Sequence, residues 1–382
     1  MHFDHHRREF LTYSAGAALS LALQTKAGAT PQDAPGEWRN RQSPMAYRRL
    51  GRTGYMISEM VMGGNTIAPD NHEHVLQALD AGLNYLDTAP AYGKGRSEEG
   101  YARVLKSRKR DSFFLNSKVS LWDTNRNLLY QQLYSNLAGR DQFDLRQAAM
   151  DDIAARGADK PDYFCNYFSA QRQELEDAAL SNVMEKKYGR RIDRDRNYRK
   201  LILDSVDQSL ARLGTDHLDL LMCPHGANSA YELLNYPEIF DAFESLKRAG
   251  KVRHFGVSAH TDPAGVLDAA IKTRQYSAAM VAYNIVNQTY LNQTLERAKQ
   301  ADVGVIAMKV ARPVHNGRGG GQQDDPARVK LVQDAVPGPL KVPQKAYLWA
   351  LRNPNLSAVI SELINAGLVK DNLPLAAQKK PA

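Results

Sequence analysis

Eight short apolar segments alternate with amphipathic segments along the chain, and this alternation limits the possible folds more than any other feature. Each apolar segment has five to eight residues, the usual length of a buried strand. The predicted strands span residues 60–64, 84–89, 113–119, 218–225, 253–258, 278–284, 304–310 and 356–361. Predicted helices span 72–82, 97–107, 198–214, 237–250, 262–273, 288–302, 345–353 and 363–373. The pattern favours an α/β fold of the closed (β/α)8 type, a TIM barrel.

An open doubly wound sheet is the alternative that the same alternation allows. Such a sheet usually carries a G-x-G-x-x-G turn after its first strand, and the chain has no such turn there. Ahead of the barrel, residues 45–60 form two short apolar segments around Gly51 and Gly54, which predicts an N-terminal β-hairpin. We assign residues 45–378 to the barrel with this hairpin.

One interval, residues 122–197, is far longer than a barrel loop needs to be. It contains helical patterns and an aromatic segment, PDYFCNYF, at residues 161–168. Because the interval leaves the C-terminal end of the third predicted strand, it belongs on the face of a barrel where chemistry is done. We predict a mainly helical insertion that forms a lid or a wall of the substrate pocket. An insertion that serves only oligomer contacts stays open as an alternative.

The N-terminus has the pattern of an export signal. Arg7 and Arg8 precede an apolar run, residues 11–23, that is too short to span a membrane. Small residues at 27–29 provide a cleavage site. Paired arginines before such a run resemble a twin-arginine signal, which carries folded proteins across a membrane. The alternative is an ordinary amphipathic N-terminus.

We therefore predict a signal peptide over residues 1–29 and a Pro-rich linker over 30–44. The expected partner is the twin-arginine export machinery, and the expected location is the periplasm. The mature protein is expected to have no stable membrane span.

Charge and cysteine content exclude several classes of function. The formal net charge is +8, and half of this excess lies in residues 1–52, with eight Lys and Arg against four Asp and Glu. The remainder has no basic run interleaved with aromatic residues, so we expect no nucleic-acid partner. Cys165 and Cys223 are far apart and belong to no C-x-x-C motif, and no ligand set for a metal is evident.

Four ionisable residues follow the ends of three successive predicted strands. Asp87 and Tyr92 lie at the exit of one strand, Lys118 closes the next, and His225 closes the one after it. Alone, an Asp-Thr pair after a strand is most often a turn cap. In a parallel barrel, however, all these strand ends open on one face, which favours a shared site.

Together these groups suit the reduction of a carbonyl or its reverse. A phenol donates its proton to a developing alkoxide more readily when a nearby ammonium stabilises the phenolate. We expect Lys118 to lower the pKa of Tyr92, Asp87 to keep the lysine charged, and His225 to position the substrate oxygen. The hydride must come from a cofactor such as nicotinamide.

The sequence resembles the aldo-keto reductase family from about Tyr47 to Asn372, apart from the insertion. The motifs that carry the resemblance are YRRLGRTG, LDAGLNYLDTAPAYGKGRSEE, the strand-final Lys118, LARLGTDHLDLLMCPH and GKVRHFGVS. The resemblance implies a catalytic tetrad of Asp87, Tyr92, Lys118 and His225, with Tyr92 as the general acid. It also implies that Ser258 contacts the nicotinamide carboxamide of NADP or NAD.

The cofactor positions depart from the family pattern. Ala259 stands where Asn is usual, Met280 where Gln is usual, and Met308 where an aromatic residue usually stacks. Leu363 and Ile364 stand where a basic residue often binds the adenosine 2′-phosphate. The predicted cofactor contacts are Ser258, Met280, Met308, Lys309, Arg312, Lys370 and Asn372, of which Lys309 and Arg312 lie at a corner of the barrel that often binds phosphate. Lys309 and Arg312 suit phosphate binding or a solvated rim, and the choice between NADP and NAD stays open.

Two functions remain open from the sequence. The first is an exported oxidoreductase that interconverts a carbonyl and an alcohol on a small hydroxylated substrate such as a sugar. An exported enzyme of this kind has no evident supply of free reduced cofactor, so we expect a tightly held dinucleotide loaded before export. The second is a catalytically silent barrel that binds a nucleotide or another ligand as a sensor.

Overall fold

Eight parallel strands form a closed barrel in the computed structural model, which describes residues 36–316 and 324–378. The predicted signal peptide, residues 1–29, lies outside the described residues. The barrel strands are β4 (Met60–Met62), β5 (Tyr85–Asp87), β6 (Phe114–Lys118), β7 (Leu218–Met222), β8 (Val252–Ala259), β9 (Ala278–Ala282), β10 (Gly304–Met308) and β11 (Ala358–Ser361). They follow each other around the barrel in chain order, and β11 pairs with β4 to close it. The predicted (β/α)8 fold and all eight predicted strands are confirmed.

Helices lie between the strands, as the amphipathic segments predict. The helices of the described residues are α1 (Glu73–Asp80), α2 (Arg96–Ser107), α3 (Leu121–Ser135), α4 (Gly139–Arg156), α5 (Gln171–Tyr188), α6 (Leu201–Leu213), α7 (Tyr231–Leu234), α8 (Pro237–Arg248), α9 (Pro263–Thr273), α10 (Gln288–Gln300), α11 (Pro326–Ala335), α12 (Val342–Leu351) and α13 (Ala366–Asn372). Helix α6 ends at Leu213, where Gly214 takes a left-handed conformation that favours glycine. Within residues 36–316 and 324–378, no helix is both long enough and apolar enough to span a membrane.

A small sheet precedes the barrel. The predicted hairpin is present as β2 (Tyr47–Arg49) antiparallel to β3 (Tyr55–Ser58). A third strand, β1 (Glu37–Trp38), pairs with β3 in parallel. The described part of the predicted linker is therefore anchored: Arg39 is buried and forms an ion pair with Asp219 at 3.0 Å. A two-residue strand is too short to show a periodic pattern, so the sequence gives no sign of it.

The hairpin seals the N-terminal end of the barrel. Leu50, Tyr55 and Ile57 join inward-facing strand residues in one buried cluster. The approach is close, because a Cβ atom at Gly51 would lie 2.1 Å from the backbone nitrogen of Gly304. Gly51 also has a positive φ of 49°, so a larger residue is excluded on both grounds. With one end closed, only the C-terminal ends of the strands open to a ligand.

The insertion after β6 is mainly helical, as predicted. Helices α3, α4 and α5 pack on one another, with small buried clusters between them that include Ile153, Leu175 and Met184. The loop between α4 and α5 carries the aromatic segment 161–168. A π-helical turn, Asp195–Lys200, then leads into α6 and returns the chain to the barrel.

Candidate active site

A buried ion pair lies at the C-terminal end of β5 and β6. Strand residues alternate in direction, so Asp87, two residues after the inward-facing Tyr85, and Lys118, four residues after the inward-facing Phe114, both face into the barrel. The Lys118 ammonium lies 2.5 Å and 2.6 Å from the two carboxylate oxygens of Asp87. It also donates to the backbone carbonyl of Thr88 at 3.0 Å, and Asn116 donates to Asp87 at 2.6 Å. The lysine is therefore fixed in one orientation.

Tyr92 lies on the loop after β5, where its hydroxyl reaches this ion pair. Its oxygen is 3.2 Å from Lys118 Nζ, and the same ammonium lies 4.7 Å from the centre of the phenol ring. The side chain is half-buried and so keeps access to the barrel opening. Tyr92 thus combines a packed hydroxyl with an exposed edge, which suits proton transfer to a bound molecule.

His225 completes the group from the loop after β7. Its imidazole contacts the Tyr92 ring edge to face, with ring centres 5.7 Å apart. Ser120 Oγ lies 2.7 Å from His225 Nδ1, and Asp123 accepts the backbone N–H of His225 at 3.2 Å. The structure therefore brings all four predicted residues, Asp87, Tyr92, Lys118 and His225, to one opening.

Burial controls the protonation of these groups. It raises the pKa of Tyr92 well above that of a free phenol, and the Asp87 carboxylate raises it further. The net pKa of Tyr92 is therefore raised, opposite to the lowered value expected from Lys118 alone, because burial and the Asp87 carboxylate dominate. Burial likewise raises the pKa of Asp87 and lowers that of Lys118, in each case opposed by the partner. Tyr92 is consequently protonated and able to donate.

Two imidazoles and two lysines face the same opening. Burial lowers the pKa of His225 well below the usual value, and Lys118, His260 and Lys309 lower it further. The pKa of His260 is lowered for the same reasons, with Lys309 the larger of its two charged neighbours. Both rings are neutral near pH 7, first because burial disfavours the charged imidazole and second because the neighbouring lysines oppose another positive charge. An anionic ligand is favoured there.

The other side of the opening, at β8, β9 and β10, is mostly apolar. Ser258 is buried and donates its hydroxyl to the backbone carbonyl of His225. Met280 pairs in register with Ser258, and Met308 pairs with Ala282. Both methionines belong to the inward-facing apolar cluster. None of these side chains offers a free amide or aromatic ring to a ligand.

The predicted phosphate contacts divide into two groups. Lys309 and Arg312 follow β10 directly, and both are half-buried at the opening. Lys309 has a left-handed backbone with φ of 58°, which is unusual outside glycine. In contrast, Lys370 is exposed on α13, and Asn372 is buried at the end of that helix.

The insertion reaches this second side of the opening. The Phe168 ring contacts the His260 ring edge to face, with centres 5.5 Å apart. The Tyr167 hydroxyl accepts a hydrogen bond from Asn284, on the loop after β9, at 2.9 Å. Arg312 donates to the Tyr167 backbone carbonyl at 3.4 Å. The aromatic segment thus lies against the loops that follow β8, β9 and β10.

Comparison with known families decides the kind of protein that carries this site. The model of the Aldo/keto reductase family matches residues 59–159 and 183–379. The chain belongs to the aldo/keto reductase family. It is an oxidoreductase of that type, and the family uses NAD(P)H. The stretch between the two matched regions, residues 160–182, contains the aromatic segment.

Relatives of this aldo/keto reductase include an uncharacterized oxidoreductase, YqkF, of Bacillus subtilis. It is 20% identical over 354 residues, which cover 88% of this chain and 92% of that protein. A D-threo-aldose 1-dehydrogenase from a Pseudomonas species is 24% identical over 247 residues, covering 64% of this chain and 60% of that protein. A Klebsiella pneumoniae aldo-keto reductase, solved in complex with NADPH, has the same fold: its TM-score is 0.53 at 19% identity, with 87% of this chain and 89% of that one covered.

The residues of this aldo/keto reductase fit a phosphate-bearing dinucleotide in part. Lys309 and Arg312 supply positive charge at the end of β10, and the nearby imidazoles of His225 and His260 are neutral. The Ser258 hydroxyl is already bonded to the His225 carbonyl, and Met280 and Met308 supply only apolar surface. The cofactor would therefore be held through charge and apolar contact more than through its carboxamide. In the described ranges, no cluster of three or more His, Cys, Asp and Glu residues could hold a metal ion.

Three residues near the site have no predicted role: Ser120, Asp123 and His260. Ser120 and Asp123 lie in the stretch that follows Lys118, and His260 is two residues beyond Ser258, so proximity to a predicted strand end was the available signal. The contact made by Phe168 could not be found in this way, because it depends on the path of the insertion.

Proposed function

We propose that this aldo/keto reductase interconverts a carbonyl and an alcohol on a small hydroxylated substrate, with Tyr92 as the general acid and base. One observation carries the proposal: the Lys118 ammonium lies within hydrogen-bond distance of both the Asp87 carboxylate and the Tyr92 hydroxyl. His225 lies against the same phenol. A proton donor, a group that stabilises its anion, and a group that can hold the substrate oxygen therefore share one opening.

In reduction, Tyr92 donates its proton to the substrate oxygen as negative charge develops there. Lys118 stabilises the phenolate that remains, and Asp87 holds the lysine in place. The neutral His225 hydrogen-bonds the substrate oxygen and fixes its position relative to Tyr92. Bound NAD(P)H supplies the hydride. In oxidation the same groups act in reverse, and Tyr92 must first lose its proton.

We propose a sugar or a similar polyol as the substrate. Support comes from the aromatic segment 161–168, since aromatic rings pack against the apolar faces of sugar rings. The relative named D-threo-aldose 1-dehydrogenase also supports this class. Phe168 is the ring placed to make such a contact, because it lies against His260 at the opening.

The experiment that tests the proposal is the substitution Tyr92→Phe. Carbonyl reduction across a panel of aldoses and small hydroxyketones is measured with NADPH and NADH, alongside cofactor affinity by fluorescence. We expect activity to fall by about 10³-fold or more while cofactor affinity changes little, because only the proton donor is removed. Tyr188→Phe, on the outer insertion helix α5, is the matched control and should retain activity. Full activity in Tyr92→Phe contradicts the proposal.

A ligand-binding barrel without turnover is the second candidate. Its support is the engaged Ser258 hydroxyl and the apolar Met280 and Met308, which leave the carboxamide of a nicotinamide without an obvious donor. The same panel separates the two candidates. Binding of cofactor without reduction of any panel member by the wild-type protein favours the silent barrel.

We further propose that the protein is exported by the twin-arginine machinery with its dinucleotide already bound, and that it works in the periplasm. The support is the paired Arg7 and Arg8 ahead of an apolar run. The protein is purified from the periplasmic fraction, denatured, and the supernatant is analysed by mass spectrometry. Substitution of both arginines by lysine should leave the protein in the cytoplasm. A supernatant without dinucleotide contradicts loading before export.

A further inference from the structure

The start of helix α3 turns its polar side chains away from its own backbone. Ser120 occupies the position before the first helical residue, where a serine usually accepts a hydrogen bond from a backbone N–H one turn ahead. Its side chain makes no such bond, and Oγ instead lies 2.7 Å from His225 Nδ1. Asp123, in the first turn, likewise uses its carboxylate to accept the backbone N–H of His225. Ser120 and Asp123, both of types that often cap a helix, therefore bind His225 instead of the N-terminus of α3.

We propose that Ser120 is a positioning residue that holds His225 in the tautomer with its proton on Nε2. In this form the imidazole can donate a hydrogen bond from Nε2 to the substrate oxygen. That a substrate oxygen accepts this hydrogen bond rests on the proposed function, whereas the tautomer itself does not. Ser120 touches neither substrate nor cofactor in this account and acts only through His225.

The tautomer follows from the hydrogen-bond partners of the serine hydroxyl. Ser120 Oγ carries one hydrogen and can accept two hydrogen bonds. It accepts one from the backbone N–H of Ala91 at 3.3 Å. Over the residues that the structure describes, His225 Nδ1 is the only acceptor recorded for its hydrogen. Since the Ala91 N–H already occupies one lone pair of the oxygen, donation of the hydroxyl hydrogen to Nδ1 gives the serine and the imidazole a matched donor and acceptor within the chain.

The ring itself carries a single proton near pH 7. Loss of solvent lowers the pKa of His225, and the cations Lys118 and Lys309 oppose a second positive charge. With Nδ1 accepting from Ser120, the one proton is on Nε2. Asp123 holds the backbone at the same residue, so the first turn of α3 fixes both the position and the tautomer of the imidazole.

The test is the ring nitrogen spectrum of His225, measured by ¹⁵N NMR on the wild-type protein and on Ser120→Ala and Ser120→Thr. His225→Asn identifies the signal by its loss. We expect wild type and Ser120→Thr to show an unprotonated Nδ1 and a protonated Nε2. Ser120→Ala should show a mixture of tautomers. Its kcat for carbonyl reduction should fall about tenfold, the effect of one lost hydrogen bond, while KM changes little.

Several results overturn the proposal. A wild-type spectrum in which Nδ1 of His225 is protonated overturns it directly, and this result does not depend on whether any variant folds. An unchanged tautomer and kcat in Ser120→Ala does so as well. Because Ser120 makes no cap bond, Ser120→Ala should lose only its hydrogen bonds to Ala91 and His225, about 2–4 °C in melting temperature, and a much larger drop assigns the serine a role in helix stability instead. If no substrate is found, the spectrum still tests the tautomer, so failure of the proposed function is distinguished from failure of this proposal.

Discussion

The two sides of the barrel opening differ in how they are built. On the side of β5, β6 and β7, charged and polar groups bind one another directly, centred on Lys118 and Asp87. On the side of β8, β9 and β10, Met280 and Met308 supply apolar surface, and the Ser258 hydroxyl is already bonded within the chain. The first side has the groups that proton transfer needs, whereas the second combines this apolar surface with Lys309 and Arg312 at the end of β10.

The insertion follows the same division. Its first turn, at Ser120 and Asp123, supports the polar side through His225. Its aromatic segment, 161–168, lies against the apolar side and falls in the stretch that the family model does not match. The groups suited to proton transfer and the inserted aromatic segment therefore lie on opposite sides of the opening. The first depend on a few fixed distances between strand ends, whereas the second depends on the path of a long insertion.

Lys118→Met should have the largest effect and tests the polar side. Removing the ammonium leaves Asp87 buried without its partner and Tyr92 without the charge that stabilises its phenolate. We expect carbonyl reduction to fall by about 10³-fold or more. The free energy of unfolding should fall by about 3–5 kcal/mol, the usual result when one partner of a buried ion pair is lost. Steady-state kinetics and urea unfolding measure the two effects.

The double substitution Asp87→Asn/Lys118→Met is the control for this prediction. It removes the unpaired carboxylate, so stability should return toward that of the wild type while activity stays low. Recovery of activity together with stability would mean that Lys118 serves only the fold, and the contrast between the two sides would then lose its chemical meaning.

How far the sequence predicts the site also differs between the two sides. Asp87, Lys118 and His225 could be placed because each lies at or just beyond a strand end, and parallel strand ends share one face. The hydroxyl of Ser258 could not be assigned, since its acceptor is a carbonyl on a different strand's loop. The contacts of Phe168 depend on how three inserted helices pack, which no local pattern records. The raised pKa of Tyr92 depends on its total burial, which no local pattern of residues records either.

Lys309→Ala tests whether the apolar side binds phosphate. Lys309 is half-buried at the opening and influences both imidazoles, so its loss should weaken dinucleotide affinity about tenfold. Lys272→Ala is the matched control, because Lys272 is exposed in the last turn of α9. Titration calorimetry with NADPH and NADH measures both. Equal effects of the two substitutions would mean that Lys309 is part of a solvated rim.

Phe168→Ala tests whether the insertion forms a wall of the pocket. The loss of the ring beside His260 should open space, so kcat/KM should shift by about fivefold toward larger carbonyl substrates over smaller ones. Phe143→Ala, on α4, is the control, since Phe143 is 65% exposed. Competition between substrates of increasing chain length measures the ratio. An unchanged ratio with an altered oligomeric state would favour the alternative that the insertion serves subunit contacts.

Asp123→Asn should have the smallest effect, and it tests the turn of α3 that holds the polar side together. Burial and the nearby Glu232 raise the pKa of Asp123 to about 7, against the opposing charge of Arg126. Because this pKa lies above that of an unfolded aspartate, the folded protein holds an extra proton between about pH 4 and pH 7. The resulting stability is present below about pH 4 and is lost as the pH rises through about 7.

The asparagine variant does not titrate, so its melting temperature should fall less than that of wild type between pH 5 and pH 8. We expect the two curves to diverge by about 2–4 °C over this range. The groups that also face Asp123 are Glu232, Arg126, Cys223 and Tyr276, and none of them is altered by the substitution. Parallel curves would show that Asp123 stays ionised. The loop that carries His225 would then be held by a permanent charge, and the polar side would not depend on pH through this residue.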